Sequence, residues 1–270
     1  MPYLEIFSPA LGPGIRIHYE AHGNTDGPVM LLIHGLGCSL DYWRFVFNDT
    51  ELKRRYHLLA LDLPGFGKSG KPRAFSYSMK DQAMVLEKLF CALSLRPEVL
   101  VGFSMGGPIA IHLAKRTGTK GLVLVEPTIT ENDLIITPRL ARTPAPILDA
   151  LKLITFICPA FFSRLLVDTR DRAVLQIINR ALRQTPGRVM KRAAKELVKA
   201  AKEPGTYRLF SSLPCKKGLI LGEILSKSEH YNPPPDLFEI ARKVIIPKAN
   251  HAVMLDNPEA FNKALLEAYS

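Results

Sequence analysis

A Gly-x-Ser-x-Gly turn at residues 102–106 is the pattern in this chain with the clearest chemical meaning. An apolar run typical of a buried strand precedes the turn, and an apolar segment with helical periodicity follows it. In that setting Gly102 and Gly106 permit a strained turn that lifts the Ser104 hydroxyl above the sheet edge. The N–H groups of the following helix then face any oxyanion formed on a substrate. We interpret Ser104 as a nucleophile; the alternative is a turn that merely holds a serine.

A serine hydroxyl is a weak nucleophile near neutral pH and needs a base within hydrogen-bond reach. His251 is the best-placed base, because it follows the last predicted strand by only a few residues. We interpret His34 as structural and His57 and His112 as packing or surface residues, and we expect His18, His22 and His230 to be exposed. No histidine clusters with acids at metal-ligand spacing, so we expect no metal.

Strands and helices that alternate along most of the chain must position these residues. Alternating polarity predicts an N-terminal hairpin from residues 3–7 and 14–20. Continuous apolar runs predict buried strands at 28–33, 56–61, 121–125, 218–221 and 243–246, besides the one that ends at Phe103. Helices are predicted at 79–93, after Ser104, at 235–242 and at 258–269, and Asp41 is expected to cap a further helix.

Only helical periodicity is found from about residue 128 to residue 213. We therefore predict an α/β fold, a mostly parallel sheet with helices on both faces. Residues 1–127 and 214–270 would form the core domain, and residues 128–213 would form an inserted helical cap over the strand ends, where ligands bind in such sheets.

Composition and charge narrow the functional classes. The formal net charge of +11 comes almost entirely from residues 139–208, which contain fifteen basic and five acidic residues. No basic-aromatic platform accompanies that charge, so we do not expect nucleic-acid binding. The most apolar window, 145–167, is interrupted by charges and proline, which argues against a membrane span. Four scattered cysteines and the lack of a signal-like N-terminus predict a cytoplasmic protein with free thiols: Cys38, Cys91, Cys158 and Cys215.

Four blocks in this order resemble the α/β-hydrolase superfamily, in particular its small members with a helical cap after the sixth strand. They are HGLG at 34–37, DLPGFGKS at 62–69, GFSMGG at 102–107 and NHAVMLDNPE at 250–259. The resemblance implies Ser104 as nucleophile, His251 as general base and no cofactor. It also implies an oxyanion hole made by the main-chain N–H groups of Leu36 and Met105. Serine at position 104 distinguishes the chain from dehalogenases and epoxide hydrolases that use an aspartate nucleophile.

The carboxylate that should orient the histidine remains open. The family usually places an aspartate about three residues after the glycine that closes the seventh strand, but Ile224 and Leu225 follow Gly222 and Glu223 here. Glu126, at the end of the sixth strand, keeps the order Ser, acid, His, and some family members carry an acid there. An acidic residue followed by proline is also common at such a position for structural reasons. Glu223 and Glu229 are the other candidates for the orienting carboxylate.

The resulting hypothesis is a serine hydrolase that cleaves a carboxylic ester, thioester or lactone of a small or amphipathic molecule through an acyl-enzyme on Ser104. The basic cap favours an acidic substrate. Carbon–carbon bond hydrolysis or a lyase reaction is an alternative on this scaffold. A receptor-like protein with a degraded triad is another alternative. The basic cap could also make weak contact with an anionic membrane surface.

Overall fold

The computed structural model describes residues 3–8, 12–134, 136–158, 166–228, 234 and 236–268. Within these residues one sheet has eight strands in the order β1-β2-β4-β3-β5-β6-β7-β8. The strands are β1 (Tyr3–Ser8), β2 (Gly12–Gly23), β3 (Val29–Ile33), β4 (His57–Leu61), β5 (Pro97–Phe103), β6 (Gly121–Val125), β7 (Lys216–Gly222) and β8 (Arg242–Ile246). β2 pairs antiparallel with β1 and β4, and the other strand pairs are parallel. The predicted mostly parallel α/β sheet is confirmed.

The helices follow the strands in chain order. They are α1 (Arg44–Asn48), α2 (Thr50–Arg55), α3 (Met79–Leu93), α4 (Gly106–Thr117), α5 (Thr137–Arg142), α6 (Ala145–Leu151), α7 (Ile154–Ile157), α8 (Arg172–Gln184), α9 (Gly187–Lys202), α10 (Gly205–Ser212), α11 (Glu223–Ser226), α12 (Leu237–Ile240), α13 (Val253–Asp256) and α14 (Pro258–Ala268). Short 3-10 turns occupy Leu40–Trp43 and Glu131–Asp133. None of the helices in the described residues is long and apolar enough to cross a membrane.

Both faces of the sheet are buried, which is why the central strands read as continuous apolar runs. Successive residues of a strand point to opposite faces. Leu31 packs into a cluster with Leu86 of α3 and Ile109 of α4. Its neighbour Leu32 packs into a second cluster, on the other face, with Phe261 of α14.

Two predicted boundaries are wrong at the level of a few residues. The helix predicted at 235–242 is only the short α12, because Arg242 pairs with Gly218 and so belongs to the sheet. The 3-10 turn that Asp41 was expected to cap begins one residue earlier, at Leu40. Its N-terminal donor is satisfied from another element, since the Leu40 N–H donates to the Asp62 carboxylate at 2.8 Å.

Helices α5–α10 connect β6 to β7, and no strand occurs there among the described residues. Helix α9 lies across the loop that follows β4, because Arg188 donates to the Lys71 carbonyl (2.6 Å) and Arg192 donates to the Arg73 carbonyl (2.9 Å). The helices therefore sit beside the carboxyl end of the sheet, as a cap would. The division into a core of 1–127 and 214–270 and a cap of 128–213 stays a prediction.

A buried carboxylate fastens the loop that follows β4. Asp62 accepts hydrogen bonds from His18 Nδ1 and from the N–H groups of Leu40 and Lys68, each at 2.8 Å. The expectation that His18 is exposed is wrong: it is buried, because β2 lies between β1 and β4 and turns this ring toward Asp62. Burial opposes ionisation of Asp62, but the hydrogen bond from His18 and those from the main-chain donors lower its pKa.

Replacing Asp62 with asparagine should lower the free energy of unfolding by about 2–4 kcal/mol, because an amide cannot accept all of these hydrogen bonds. The exposed Asp26→Asn is the matched control, with an expected change below about 0.5 kcal/mol. Since folding lowers the pKa of Asp62, its contribution exists above the ordinary carboxyl pKa of about 4 and is lost as pH falls below it. Denaturant unfolding at neutral and acidic pH measures both effects. Equal losses for the two variants would contradict this assignment.

Candidate active site

Ser104 lies on a strained turn at the carboxyl end of β5. Its φ is +51°, in the left-handed region that residues with a side chain rarely adopt. Its N–H donates to the Val125 carbonyl at 2.9 Å, which ties the turn to the neighbouring strand. A Cβ at Gly102 would lie 2.4 Å from the Gly106 carbonyl oxygen, and a Cβ at Gly106 would lie 2.4 Å from that of Ile33. Only glycine fits at these two positions, as the Gly-x-Ser-x-Gly pattern predicts.

Glu126 follows β6, the strand next to β5, and its side chain approaches His251. Glu126 Oε2 lies 3.7 Å from His251 Nδ1. The carboxylate is almost fully buried, with 3% of its side chain exposed, while the ring is 21% exposed. The other oxygen, Oε1, accepts a hydrogen bond from the Gly222 N–H. The structure thus brings together two of the residues that the sequence nominated.

The competing carboxylates are placed differently. Glu223 lies on α11, where Oε2 accepts from the Lys248 N–H at 2.9 Å and Oε1 pairs with Lys227 at 2.6 Å. The hydrogen bond from Lys227 lowers the pKa of Glu223, with a smaller effect from the Lys248 N–H. Glu223 therefore holds the loop before His251 and makes no contact with the ring. Glu229 lies outside the described residues.

His251 reaches the site on a loop that starts at the end of β8. Its ring centroid lies 5.0 Å from that of Phe103, the residue before Ser104. Gly222 allows the loop to pass close to the end of β7, because a Cβ there would lie 2.4 Å from the Asn250 carbonyl oxygen. The ring is therefore positioned between the end of β7 and the end of β5.

Asp256 joins the histidine loop to the segment just before α8, within the inserted helices. Its Oδ2 accepts from the Asn250 N–H at 2.8 Å. Its Oδ1 accepts from the N–H groups of Asp168 (2.8 Å) and Thr169 (3.1 Å). Burial raises the pKa of Asp256 against the opposing effect of these hydrogen bonds. Sequence reasoning did not single out this residue, although it stands within the 250–259 block.

The main-chain N–H groups of Leu36 and Met105 lie on the two turns that surround Ser104. A Cβ at Gly35 would lie 3.0 Å from Ser104 Cβ, so the turn after β3 passes directly beside Ser104. Neither N–H donates a hydrogen bond to any part of the chain that the structure describes. Helix α4 begins at Gly106, two residues after the serine, so its first donors also lie here. Two main-chain donors are thus available to an oxyanion.

His34 shapes the first of these turns. It is fully buried; Nδ1 is 2.8 Å from the Gly35 carbonyl oxygen, and Nε2 accepts from the Leu63 N–H at 3.0 Å. These two bonds assign the proton to Nδ1. Burial lowers the pKa of His34, so the ring is neutral at ordinary pH. The structural role expected for His34 agrees with this geometry.

No hydrogen bond joins the Ser104 hydroxyl to the His251 ring within the described residues. His251 Nδ1 is buried without a hydrogen-bond partner, and its 3.7 Å distance from Glu126 exceeds hydrogen-bond length. Catalytic contacts in a site without substrate are often long and tighten when the substrate binds. The required movement here is below 1 Å for the carboxylate–imidazole pair if the bond shortens to about 2.9 Å.

Two cavities flank the site. One, of about 40 Å³, includes Glu126 and His251 in its wall. The other, of about 160 Å³, starts at Leu36 and extends among the inserted helices. Its wall is almost entirely aliphatic: Leu36, Ile136, Leu140, Leu148, Leu151, Lys152, Thr155, Leu166, Leu182 and Met190. An apolar group held there would lie next to one of the two main-chain donors.

The described residues contain no group of three or more histidine, cysteine or acidic side chains that could hold a metal ion. The arrangement offers a hydroxyl at the sheet edge, an imidazole, a buried carboxylate and main-chain donors. These are the parts needed for nucleophilic acyl transfer.

Known proteins share this architecture. The chain matches a model described as "Alpha/beta hydrolase family" over residues 30–264. It is 38% identical over 129 residues to Lipase 1 of Psychrobacter immobilis, which covers 46% of this chain and 39% of the lipase. It is 40% identical over 95 residues to the magnesium-chelatase 30 kDa subunit of Rhodobacter capsulatus, covering 35% of this chain and 33% of that subunit. These matches span two fifths or less of each curated relative.

A solved structure extends the likeness to the whole chain. The structure of a thermophilic esterase from Thermogutta terrifontis superposes with a TM-score of 0.71 over 100% of both chains, at 23% identity. At that identity the likeness concerns the fold. The family match spans most of the residues and includes both neighbourhoods of the site. The chain therefore belongs to the alpha/beta hydrolase family.

Proposed function

We propose that this protein is a serine hydrolase of carboxylic esters that forms an acyl-enzyme on Ser104. One observation carries the proposal: the strained serine turn stands beside a strand end whose buried carboxylate, Glu126, lies 3.7 Å from His251 Nδ1. Membership of the alpha/beta hydrolase family supports it. The likeness of part of the chain to a lipase supports the same reaction class.

In the acylation step, Ser104 Oγ attacks the carbonyl carbon of the ester while His251 Nε2 accepts the hydroxyl proton. The carbonyl π-electrons move to oxygen, and the oxyanion accepts hydrogen bonds from the N–H groups of Leu36 and Met105. When the tetrahedral intermediate collapses, the bond to the alcohol oxygen breaks. His251 then returns its proton to the leaving alkoxide.

In the second step, water attacks the acyl carbon and gives one proton to His251. The same two donors stabilise the second oxyanion. Collapse releases the carboxylic acid and returns the proton to Ser104. Ester and water are consumed, and alcohol and acid are produced, so the protein ends each cycle unchanged.

Glu126 acts as the orienting carboxylate in this proposal. A carboxylate facing Nδ1 keeps Nε2 free to accept the serine proton and stabilises the imidazolium that results. The hydrogen bond from the Gly222 N–H fixes Glu126 Oε1, leaving Oε2 for the ring. Burial favours a strong interaction once the imidazole is charged.

The acyl group is proposed to occupy the aliphatic cavity at Leu36, with residues 128–213 acting as the cap that encloses it. Lys152 is the charged member of the wall, and it is paired with Asp149 at 2.6 Å. Its charge is thus compensated, and the cavity favours an apolar acyl group over an acidic one. Thioesters and lactones share the acyl chemistry and belong in the same substrate panel.

Labelling by a fluorophosphonate probe should modify Ser104, and Ser104→Ala should abolish both labelling and ester hydrolysis. His251→Ala should also reduce kcat by at least about 10³-fold, with little further loss in the double variant, because the two groups act as a unit. Mass spectrometry and hydrolysis of short p-nitrophenyl esters are the measurements. A folded wild type that binds ligands without labelling would favour a receptor. Labelling without ester turnover would favour carbon–carbon bond cleavage or a lyase reaction.

Glu126→Gln should lower kcat by about 10²–10⁴-fold, because an amide opposite Nδ1 favours the wrong tautomer. Glu223→Gln is the matched control and should lower kcat far less, since that side chain contacts Lys227 and Lys248 and an amide oxygen can still accept from the Lys248 N–H. Steady-state kinetics on a short ester compares the two. The assignment is wrong if Glu126→Gln remains active while Glu223→Gln or Glu229→Gln is inactive.

Leu140→Trp should fill the aliphatic cavity and reduce kcat/KM for octanoate esters about tenfold or more relative to acetate esters. Ile245→Trp places the same ring on exposed strand β8 and should leave the ratio unchanged. The ratio is measured with p-nitrophenyl esters of increasing chain length. If Leu140→Trp reduces both esters equally, the acyl chain binds elsewhere.

A further inference from the structure

Three large apolar side chains are exposed together on one short stretch of the inserted helices. Ile147 is 50% exposed, Leu151 is 36% exposed and Leu153 is 62% exposed. We call these three residues the 147–153 patch. Pro146, just before the patch, and Ala150, within it, are also exposed. Isolated surface leucines are ordinary, but a contiguous apolar surface marks a contact site.

The patch continues into the aliphatic cavity. Leu148, on the same helix, is buried in the cavity wall. Leu151 is partly exposed and belongs to both the wall and the patch. Helix α6 is therefore apolar on two sides, one facing the cavity and one facing outward. Leu151 marks the place where the two surfaces meet.

Basic residues lie close to the patch along the chain. Asp149 is the acid within it and is paired with Lys152, so this stretch carries no net negative charge. Arg139 and Arg142 are exposed on α5, and Ile147 lies five positions after Arg142, a reach of at most about 17 Å. Residues 139–208 together carry ten more basic than acidic residues.

We propose that the 147–153 patch docks on the surface of an anionic phospholipid bilayer. Three side chains offer far less area than the roughly 800 Å² per partner of a standard protein interface. Shallow insertion in a bilayer needs only a few apolar anchors together with nearby cations, and this surface has both. Charge complementarity selects an anionic membrane over a zwitterionic one.

Docking would place the mouth of the cavity at the lipid surface. An ester with an apolar acyl chain could then pass from the bilayer along Leu151 into the cavity without crossing water. This consequence rests on the proposed ester hydrolysis. The docking itself does not, and binding of Ser104→Ala to vesicles separates the two.

Cosedimentation of the full chain with phosphatidylglycerol vesicles tests the proposal. Binding is expected at low salt, with clearly weaker binding to phosphatidylcholine vesicles and at high salt, because the cations act through a screened field. Ser104→Ala should bind as the wild type does. Absence of binding to phosphatidylglycerol at low salt would overturn the proposal, whether or not the protein hydrolyses esters.

Matched variants locate the surface. Ile147→Ser combined with Leu153→Ser should reduce the vesicle partition coefficient about tenfold or more. Arg139→Gln combined with Arg142→Gln should reduce it about fivefold per charge. Phe238→Ser combined with Ile245→Ser removes exposed apolar side chains elsewhere and should have no effect. Equal losses in the control, or concentration-dependent dimers that disappear in the patch variant, would contradict membrane docking.

Discussion

Backbone strain at two neighbouring strand ends is the constraint on which the site depends. Ser104 has φ +51° and Glu126 has φ +44°, and neither is glycine. Such conformations cost about 1–3 kcal/mol each and persist only when the surroundings determine them. Here the sheet determines them, because Ser104 N–H donates to Val125 and Glu126 N–H donates to Ile220 across adjacent strands. The same strain turns the hydroxyl and the carboxylate toward one edge.

The rest of the site is held to that edge by main-chain donors bound to carboxylates. Glu126 accepts a hydrogen bond from the Gly222 N–H, and Glu223 accepts one from the N–H of Lys248, three residues before His251. Asp256 accepts hydrogen bonds from main-chain N–H groups of both the histidine loop and residues 168–169. The inserted helices are therefore fastened to the loop that carries His251. Asp256 is thus a shared hydrogen-bond acceptor for the His251 loop and for a segment of the insertion.

Periodicity predicted the sheet, the longer helices and the helical insertion, because both sheet faces are buried and leave continuous apolar runs. Ser104, His251 and the Leu36 turn were predicted from motifs whose geometry is local. Contacts between distant segments were not predictable: His18 was expected to be exposed, yet it bonds to Asp62 across strands that are remote in sequence. The nearness of Glu126 to His251 likewise emerged only from the structure, and so did the hydrogen bonds that join Asp256 to residues 168–169.

A crystal structure of the protein after reaction with an alkyl fluorophosphonate addresses the central claim most directly. The account predicts phosphorus bonded to Ser104 Oγ and the phosphonyl oxygen within about 2.7–3.1 Å of the N–H nitrogens of Leu36 and Met105. It also predicts His251 Nδ1 drawn to hydrogen-bond distance from Glu126, with the alkyl group in the aliphatic cavity. An adduct whose oxygen faces away from both N–H groups, or whose imidazole is paired with a different carboxylate, would contradict it.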